Sequence, residues 1–337
     1  MLALASVANG QDAKMRLGGI EFFGYAGLNL DQVKAALPLH EGDELPQTQA
    51  AVNGASSQVR DAVQRTTGHA PTDVQFTCCN ERGTWMVFIG LQGRTFRPVP
   101  YNPAPTCAAQ LPPQIVSLYH QFGATLSAGL QHGQAGEDDS KGYALAAYPP
   151  LRAKQLAMRE YAVGHAQLLR RVLTTAADVE QRRVAAQLLG YAPQSTAQIA
   201  ALVQASRDAD DEVRNNAVRA LGVLARSNAK VAARIPARDF INGLNSGVWS
   251  DRNKSAELLA LLTQRRDPKL LAQLRARALD SLIEMARWHD NNHASPVRIM
   301  LGRIAGIEEA RLVQLVQAGR VDEIIDALNS RQKRAPR

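Results

Sequence analysis

Two histidines, His289 and His293, stand four residues apart, the spacing that places two imidazoles on one face of an α-helix. Such a pair can bind a zinc ion. The intervening Asp290-Asn291-Asn292 favours a loop, however, and no His-Glu-x-x-His motif accompanies the pair. We therefore predict that both histidines lie in an exposed loop between helices and bind no metal.

A second candidate for ion binding is the acidic run Glu137-Asp138-Asp139. The oxygen ligands of a calcium loop alternate along the chain, and those of this run do not. We interpret residues 133–142 as a polar, mobile loop. The chain also lacks a phosphate-binding Gly-rich loop followed by Lys-Ser/Thr and a Gly-x-Ser-x-Gly motif. We predict no catalytic, cofactor-binding or metal-binding residues, and a protein that is not an enzyme.

A nine-residue helical phrase that begins with arginine occurs four times in the second half of the chain. Its leading residues are Arg182, Arg214, Arg252 and Arg298, at intervals of 32 (182 to 214), 38 (214 to 252) and 46 (252 to 298) residues. A repeat of this length, with one helix pair per unit, is typical of an α-solenoid.

The copy at residues 210–222, Asp-Asp-Glu-Val-Arg-Asn-Asn-Ala-Val-Arg-Ala-Leu-Gly, resembles a HEAT repeat, as does the copy at residues 181–190. The resemblance implies an all-α superhelical solenoid over residues 151–330, with helix pairs separated by Pro193, Pro236, Pro268 and Pro296. It also implies that the leading arginines brace neighbouring repeats, often against an aspartate of the adjacent turn, and do not bind phosphate. Because the intervals lengthen, we expect irregular last units, with longer helices or loops around residues 267–292, and look for a binding site there first.

Residues 14–93 predict a small α+β domain with the order strand, helix, helix, strand, strand. Its first strand ends in Ile20-Glu21-Phe22-Phe23-Gly24, its first helix closes in Leu37-Pro38-Leu39-His40-Glu41-Gly42-Asp43, and Gly68 precedes a strand hairpin. These motifs resemble a POTRA domain. The resemblance implies an exposed strand edge that accepts an extended peptide by β-augmentation.

Residues 94–150 predict a Pro/Gly-rich connector with one helix, from 115 to 130, and a connector of this length often wraps along a neighbour. Residues 1–13 resemble the end of a signal peptide, with Ser6 and Ala8 at the cleavage positions; a disordered N-terminus is the alternative. We predict that residues 331–337, which are rich in Arg and Lys, form a basic disordered tail. No run of eighteen apolar residues occurs, so no transmembrane helix is predicted.

The three cysteines leave two interpretations open. In an exported protein Cys107 could pair with Cys78 or Cys79, and unpaired thiols are the alternative. We interpret Trp249, which lies in a predicted turn, as a residue that packs between repeats.

The net charge of +8 is uneven, because residues 1–93 carry six Lys/Arg and nine Asp/Glu. The excess of cations in the remainder suggests nucleic acid as an alternative partner. Its candidate contacts form two groups, Arg152, Lys154, Arg159, Arg170 and Arg171 in the first, and Arg265, Arg266, Lys269, Arg275 and Arg277 in the second. Few aromatic side chains lie nearby, which weakens the case for base stacking.

The two resemblances together imply a mainly α, non-enzymatic scaffold or adaptor of the bacterial cell envelope, periplasmic or secreted. We expect it to bind envelope proteins or extended peptides and to need no cofactor. The alternative is a cytoplasmic protein that binds nucleic acid through the basic solenoid surface.

Overall fold

A computed structural model of the protein describes residues 16–45, 49–131, 133–134 and 136–334. The described chain is mainly helical, with two small sheets. The predicted signal-peptide remnant at residues 1–13 lies outside the described residues. In the part that is described, no helix combines the length and the apolar character needed to cross a membrane.

The N-terminal part, residues 16–93, has the predicted order of strand, helix, helix, strand, strand. Its elements are β1 (Leu17–Phe23), α1 (Leu30–Ala36), α2 (Gln49–Thr67), β2 (Asp73–Thr77) and β3 (Trp85–Gly90). Strand β3 lies in the centre of the sheet, parallel to β1 and antiparallel to β2. Asn29 caps α1, because its side chain accepts the Gln32 N–H at 3.2 Å. Val59 and Val63 of α2 are buried against the sheet.

The rest of the chain is helical apart from a two-stranded hairpin and short turns. Its elements are α3 (Pro113–Gln131), β4 (Glu137–Asp138), β5 (Leu145–Ala146), α4 (Pro149–Thr175), α5 (Val179–Leu189), α6 (Thr196–Ala205), α7 (Asp211–Ser227), α8 (Ala229–Ala232), α9 (Trp249–Leu262), α10 (Pro268–Ala286), α11 (Asn291–Ala305), α12 (Glu309–Gln317) and α13 (Val321–Arg334). Helices α5, α7, α9, α11 and α13 pack against one another in that order and form one layer, against which α4, α6, α10 and α12 form a second. One apolar core lies between the layers. The last helix extends to Arg334, so the backbone of the first four residues of the predicted tail is helical; residues 335–337 lie outside the description.

The second layer is interrupted between Arg214 and Arg252. Helix α8 ends at Ala232, and two 3₁₀ turns, Ala237–Asp239 and Asn242–Asn245, follow in place of a long helix. Pro236 precedes the first turn, and its ring removes the backbone N–H that a continuing helix would need. Residues 267–292, where we predicted longer helices or loops, contain α10, a continuous helix of 19 residues. The longest interval of the repeat therefore comes from a longer helix.

Pro296 does not separate two helices, contrary to the prediction, because it lies inside α11. It is the sixth residue of that helix, so only the hydrogen bond to the carbonyl four residues earlier is lost. Its neighbours Ala294 and Val297 are fully buried. Their packing offsets the loss of one hydrogen bond.

The first part of the connector, residues 94–107, forms an extended segment that we call the strap. Three of its backbone N–H groups, five residues apart, donate to carbonyls at successive turns of the helical part: Arg97 to Asn245 at 2.9 Å, Asn102 to Arg207 at 2.7 Å and Cys107 to Thr175 at 3.0 Å. The strap therefore runs along the helix turns in the reverse of chain order. The expectation that the connector wraps along a neighbour is confirmed.

The acidic run that we predicted to be a mobile loop is held against the helices. Glu137 pairs with Arg219, and Asp139 pairs with Arg226, both on α7. The short strands β4 and β5 pair with each other in the same region. The prediction failed because the partners lie more than eighty residues away in sequence, where no local pattern can reveal them.

The cysteine arrangement differs from both interpretations. Cys78 and Cys79 form a disulfide with each other in the loop between β2 and β3. Cys107 lies on the strap, where it is exposed and free. It pairs with neither cysteine of the N-terminal part, because the strap carries it away to the turn between α4 and α5.

Candidate functional site

The four leading arginines (Arg182, Arg214, Arg252 and Arg298), which we call the arginine row, are all buried. Arg182 donates from Nε and Nη2 to the two carboxylate oxygens of Asp208, at 2.8 and 3.0 Å. Its Nη1 donates to the carbonyl oxygens six and five residues earlier in the chain. All of these atoms belong to turns, so Arg182 joins two neighbouring turns as the brace interpretation predicts.

Arg214 makes the same contacts one unit later. It donates to both carboxylate oxygens of Asp251, at 2.8 and 3.1 Å, and to the carbonyls six and five residues earlier. Tyr101 of the strap covers the pair, with its ring centroid 3.8 Å from the guanidinium carbon and its hydroxyl donating to Asp251 at 2.6 Å. Burial and the charge of Asp251 raise the pKa of Tyr101, which keeps the hydroxyl protonated as a donor.

Arg252 departs from this pattern. Its Nε donates to the carbonyl of Ser246 at 2.6 Å, but Nη1 and Nη2 have no hydrogen-bond partner. The side chain is fully buried, with the Phe23 ring 4.9 Å from its guanidinium carbon and the nearest carboxylate oxygen, of Glu284, 3.9 Å from Nη1. Burial lowers the pKa of Arg252 to about 10. Its charge is balanced chiefly by Glu284.

Arg298 braces a single turn. It donates to the carbonyls of Ala286 and Trp288, at 2.9 and 2.7 Å, and to the side chain of Asn291 at 2.6 Å. None of the four side chains of the row is exposed for ligand binding. The sequence interpretation that they are not phosphate ligands agrees with these contacts.

Glu284 on α10 holds the N-terminal part against the helices. Its carboxylate accepts the backbone N–H groups of Gly24, Tyr25 and Ala26, at 2.8 to 3.0 Å, and the hydroxyl of Thr95 at 2.5 Å. Burial raises the pKa of this carboxyl, against the lowering effect of the Thr95 hydroxyl and Arg252. Four donors from one loop and the strap therefore converge on a single buried side chain.

An aromatic cluster lies beside this contact. Phe88 of β3 packs against Trp249 and Trp288, with 5.0 Å between ring centroids in each pair, and against His293 at 5.2 Å. Trp288 also donates from Nε1 to the carbonyl of Phe22 at 2.9 Å. Trp249 also packs against His293 of α11, with 5.3 Å between ring centroids. It therefore lies between α9 and α11, two helices of successive copies, as predicted, and contacts the N-terminal sheet as well.

The two histidines lie at the same contact and differ in exposure. The side chain of His289 is 87% exposed, as predicted, while its backbone N–H donates to Glu21 at 2.5 Å. His293 lies in α11, with a side chain only 15% exposed and Nδ1 2.5 Å from Asp290 Oδ2. The prediction of an exposed loop was therefore wrong for His293. Asp290, which we assigned to the loop, instead caps the helix.

The two edges of the three-stranded sheet are unequal. The β1 edge is occupied, because Leu17 exchanges hydrogen bonds with the loop at Gly42 and Asp43 and because Trp288 bonds to Phe22. The β2 edge pairs with no other strand of the described chain. At that edge Gln75 Nε2 donates to the carbonyl of Phe76 at 2.9 Å, a bond within the strand itself.

The two groups of basic residues that we proposed as nucleic-acid contacts lie on or beside different helices, α4 and α10. Several are already engaged: Arg159 with the Tyr143 ring and the carbonyl of Tyr191, Lys154 with Gln121, and Arg266 with Glu309. Arg152, Arg171, Arg265, Lys269 and Arg277 are exposed. The structure does not join these side chains into one patch.

Glu309 at the start of α12 is held by two arginines. Arg303 donates from Nη2 to Oε1 at 2.7 Å, and Arg266 donates from Nη2 to Oε2 at 2.7 Å. The hydrogen bonds from Arg303 above all, and then those from Arg266, lower the pKa of Glu309 to about 2. This double contact fixes the turn between α11 and α12.

We expect an NMR titration to find the Glu309 carboxyl titrating near pH 2, and to find its pKa raised towards 4.5 in Arg266→Gln. The folded-state pKa lies below that of the unfolded chain, so the ion pair stabilises above about pH 4.5 and this stabilisation is lost as the pH falls towards 2. Arg265→Gln is the matched control, since this neighbouring arginine is exposed. An unchanged Glu309 titration in Arg266→Gln would contradict the assignment.

Comparisons with known proteins give no family for this chain. No protein-family model matches it, and no curated protein matches it. A crystal structure of an engineered protein, a structural genomics target, shares 16% identity over 64% of this chain and 88% of that chain, with a TM-score of 0.39. A likeness at that score carries no argument about fold or function.

Proposed function

We propose that this chain is a non-enzymatic scaffold or adaptor of the bacterial cell envelope, made of a POTRA-like domain and a HEAT-like solenoid. The open edge of β2 carries the proposal. An edge strand offers backbone donors and acceptors to an added strand, so an extended peptide can pair with it. The opposite edge, β1, is occupied by the chain itself, which leaves β2 as the one edge of this sheet open in the described chain.

The strand order supports the POTRA-like part of the proposal. A five-element unit with β3 between β1 and β2, and with two helices on one face, agrees with what the sequence motifs imply. The layered packing of α5, α7, α9, α11 and α13, with the repeated Arg182 and Arg214 contacts, supports the HEAT-like part. Glu284 and the aromatic cluster fix the two parts to each other, so a peptide on β2 would be held at a defined place relative to the helices.

Site-specific photocrosslinking tests the proposal. A photoreactive residue at Thr77, in β2, should give discrete adducts with envelope proteins when the chain is expressed in the bacterial periplasm. The same residue at Arg311, an exposed position on α12, is the control. Thr77 adducts should disappear when Gln75 is replaced by lysine, because a charge on an edge strand opposes the addition of another strand. Adducts that are absent at Thr77, or equally abundant at Arg311, would refute the β2 docking site.

A second candidate is the binding of duplex nucleic acid, which the excess of positive charge after residue 93 favours. Phosphate contacts make affinity fall as salt rises, so a mobility shift with duplex DNA at low salt that weakens with added salt would support it. The burial of the arginine row removes four cations from such a surface. We therefore place this candidate second.

A further inference from the structure

A cleft of about 240 Å³ opens where the second helical layer is interrupted. Its walls come from the strap at Val99–Tyr101, the turn between α6 and α7, the two 3₁₀ turns, and one face each of α7, α9 and α10. Gly243 of the second 3₁₀ turn lies directly against α9, where a Cβ at this position would come within 2.1 Å of Ser255 Oγ. The cleft is therefore built from segments far apart in sequence and closely packed at its wall.

Cations outnumber anions in this cleft. Its lining includes the cations Arg207, Arg214, Arg238, Lys254 and Arg277, against the acids Asp239 and Asp251. Asp251 is committed to Arg214, and Asp239 lies 3.6 Å from Arg238. Lys254 pairs with Glu257 outside the lining, so Arg207 and Arg277 are the two lining cations whose charge no carboxylate of the described chain balances.

Arg207 and Arg277 are the two cations best placed to bind a ligand. Arg277 donates from Nη2 to Asn242 Oδ1 at 2.7 Å, a neutral acceptor that orients the guanidinium without cancelling its charge. Neither arginine has a carboxylate within 4 Å in the part of the chain that the structure describes. Lys254, which pairs with Glu257 at 2.9 Å, and the hydroxyl of Ser250 line the same cleft.

We propose that this cleft binds a small oxyanion of the phosphate class, either the free ion or the phosphate of a monoester. A guanidinium presents paired N–H groups that match the geometry of phosphate oxygens, and two of them can bind one phosphate. The volume lies below the roughly 300–1,000 Å³ of pockets for drug-sized molecules, so it suits a phosphate group better than a whole nucleotide. This site is independent of the β2 edge and of any peptide bound there.

Calorimetric titration with inorganic phosphate, and separately with phenyl phosphate, tests the proposal at constant ionic strength in a chloride buffer. We expect both Arg207→Gln and Arg277→Gln to weaken binding by about tenfold, the loss expected for one charge-assisted hydrogen-bonding group. Arg265→Gln removes the same charge from an exposed position outside the cleft and should bind as the unsubstituted protein does. Because Arg207 is exposed, its substitution should leave the fold and the circular dichroism spectrum unchanged.

The outcomes separate the sources of the anion. Tighter binding of phenyl phosphate would indicate a phosphate carried on a larger molecule, and equal or tighter binding of inorganic phosphate would indicate the free ion. The absence of binding by both probes would overturn the proposal. So would an equal loss of affinity in all three variants, since that result would indicate a non-specific response to net charge.

Discussion

Replacement of Glu284 by alanine is expected to lower the free energy of unfolding by about 3–5 kcal/mol, the range for breaking a buried ion pair from one side. The change removes the acceptor for the N–H groups of Gly24, Tyr25 and Ala26 and for the Thr95 hydroxyl. It also leaves the guanidinium of Arg252 fully buried without its nearest carboxylate. Loss of hydrogen bonds and loss of charge balance therefore act together.

The measurement is urea unfolding followed by two signals. Tryptophan fluorescence reports mainly on the contact between the two parts, because two of the three tryptophans, Trp249 and Trp288, pack on Phe88. Circular dichroism at 222 nm reports mainly on the helices. In Glu284→Ala the fluorescence transition should move to lower urea than the circular dichroism transition. Glu160→Ala, at an exposed position on α4, is the control and should change stability by less than about 0.5 kcal/mol.

Two further variants separate the causes. Glu284→Gln keeps an oxygen for the backbone donors but removes the charge that faces Arg252. Combining it with Arg252→Met, which removes the stranded guanidinium, should restore part of the lost stability, because replacing both members of a buried pair costs less than breaking it. A double variant less stable than Glu284→Gln would show that charge balance is not the source of the effect.

The sequence was sufficient to predict the order of the N-terminal strands and helices and the bracing role of Arg182 and Arg214. The motifs that end the first strand at Gly24 and precede the hairpin at Gly68 predict the N-terminal elements, since these signals are local. The resemblance of the phrase to a HEAT repeat implies the brace, and the contacts of Arg182 and Arg214 with an aspartate of the next unit agree with it. Both predictions depend on short or repeated patterns.

The contact between the two parts could not be predicted in the same way. Glu284 is one glutamate in an amphipathic helix, and nothing around it distinguishes it from a solvated residue. Its partners lie about 190 to 260 residues away in sequence. Trp249 gave a stronger signal, since a large aromatic at a helix start needs a packing partner, but Phe88 could be identified only from the fold. The region around residues 267–292 does contribute to a contact, because Glu284 and Trp288 hold the N-terminal part against the helices.

The cleft lies where the regular helical layer is interrupted, and this is not where the interval lengths predicted a site. Interval lengths pointed to residues 267–292, where the longest step occurs. The interruption falls instead in the 38-residue step, where Pro236 and Gly243 end regular helix formation. Helix-breaking residues such as Pro236 therefore indicated the interruption of the helical layer better than the interval length did. A longer interval can simply contain a longer helix, as α10 shows.

Asp251 provides the second large effect, and its replacement by alanine should also lower the free energy of unfolding by about 3–5 kcal/mol. Its carboxylate accepts from Arg214 Nε and Nη2, from the Tyr101 hydroxyl and from Ser246 Oγ. The side chains of Arg214 and Asp251 are only 3% and 7% exposed, so the stranded guanidinium could not regain water without local unfolding. The strap should loosen as well, because Tyr101 loses the acceptor that holds it.

Arg311→Ala is the matched control for this variant, since it breaks an ion pair with Glu323 of nearly the same N···O distance, 2.9 Å against 2.8 Å. That pair is exposed, and we expect its loss to cost at most about 1 kcal/mol. Urea unfolding compares the two variants, and hydrogen exchange at the Asn102 amide, which bonds to the Arg207 carbonyl, reports on the strap. Faster exchange there in Asp251→Ala, but not in Arg311→Ala, would identify Asp251 as the residue that holds the strap on the arginine row. Equal losses of unfolding free energy in the two variants would instead mean that burial does not strengthen the Arg214–Asp251 ion pair. The arginine row could then not be the element that holds successive turns together.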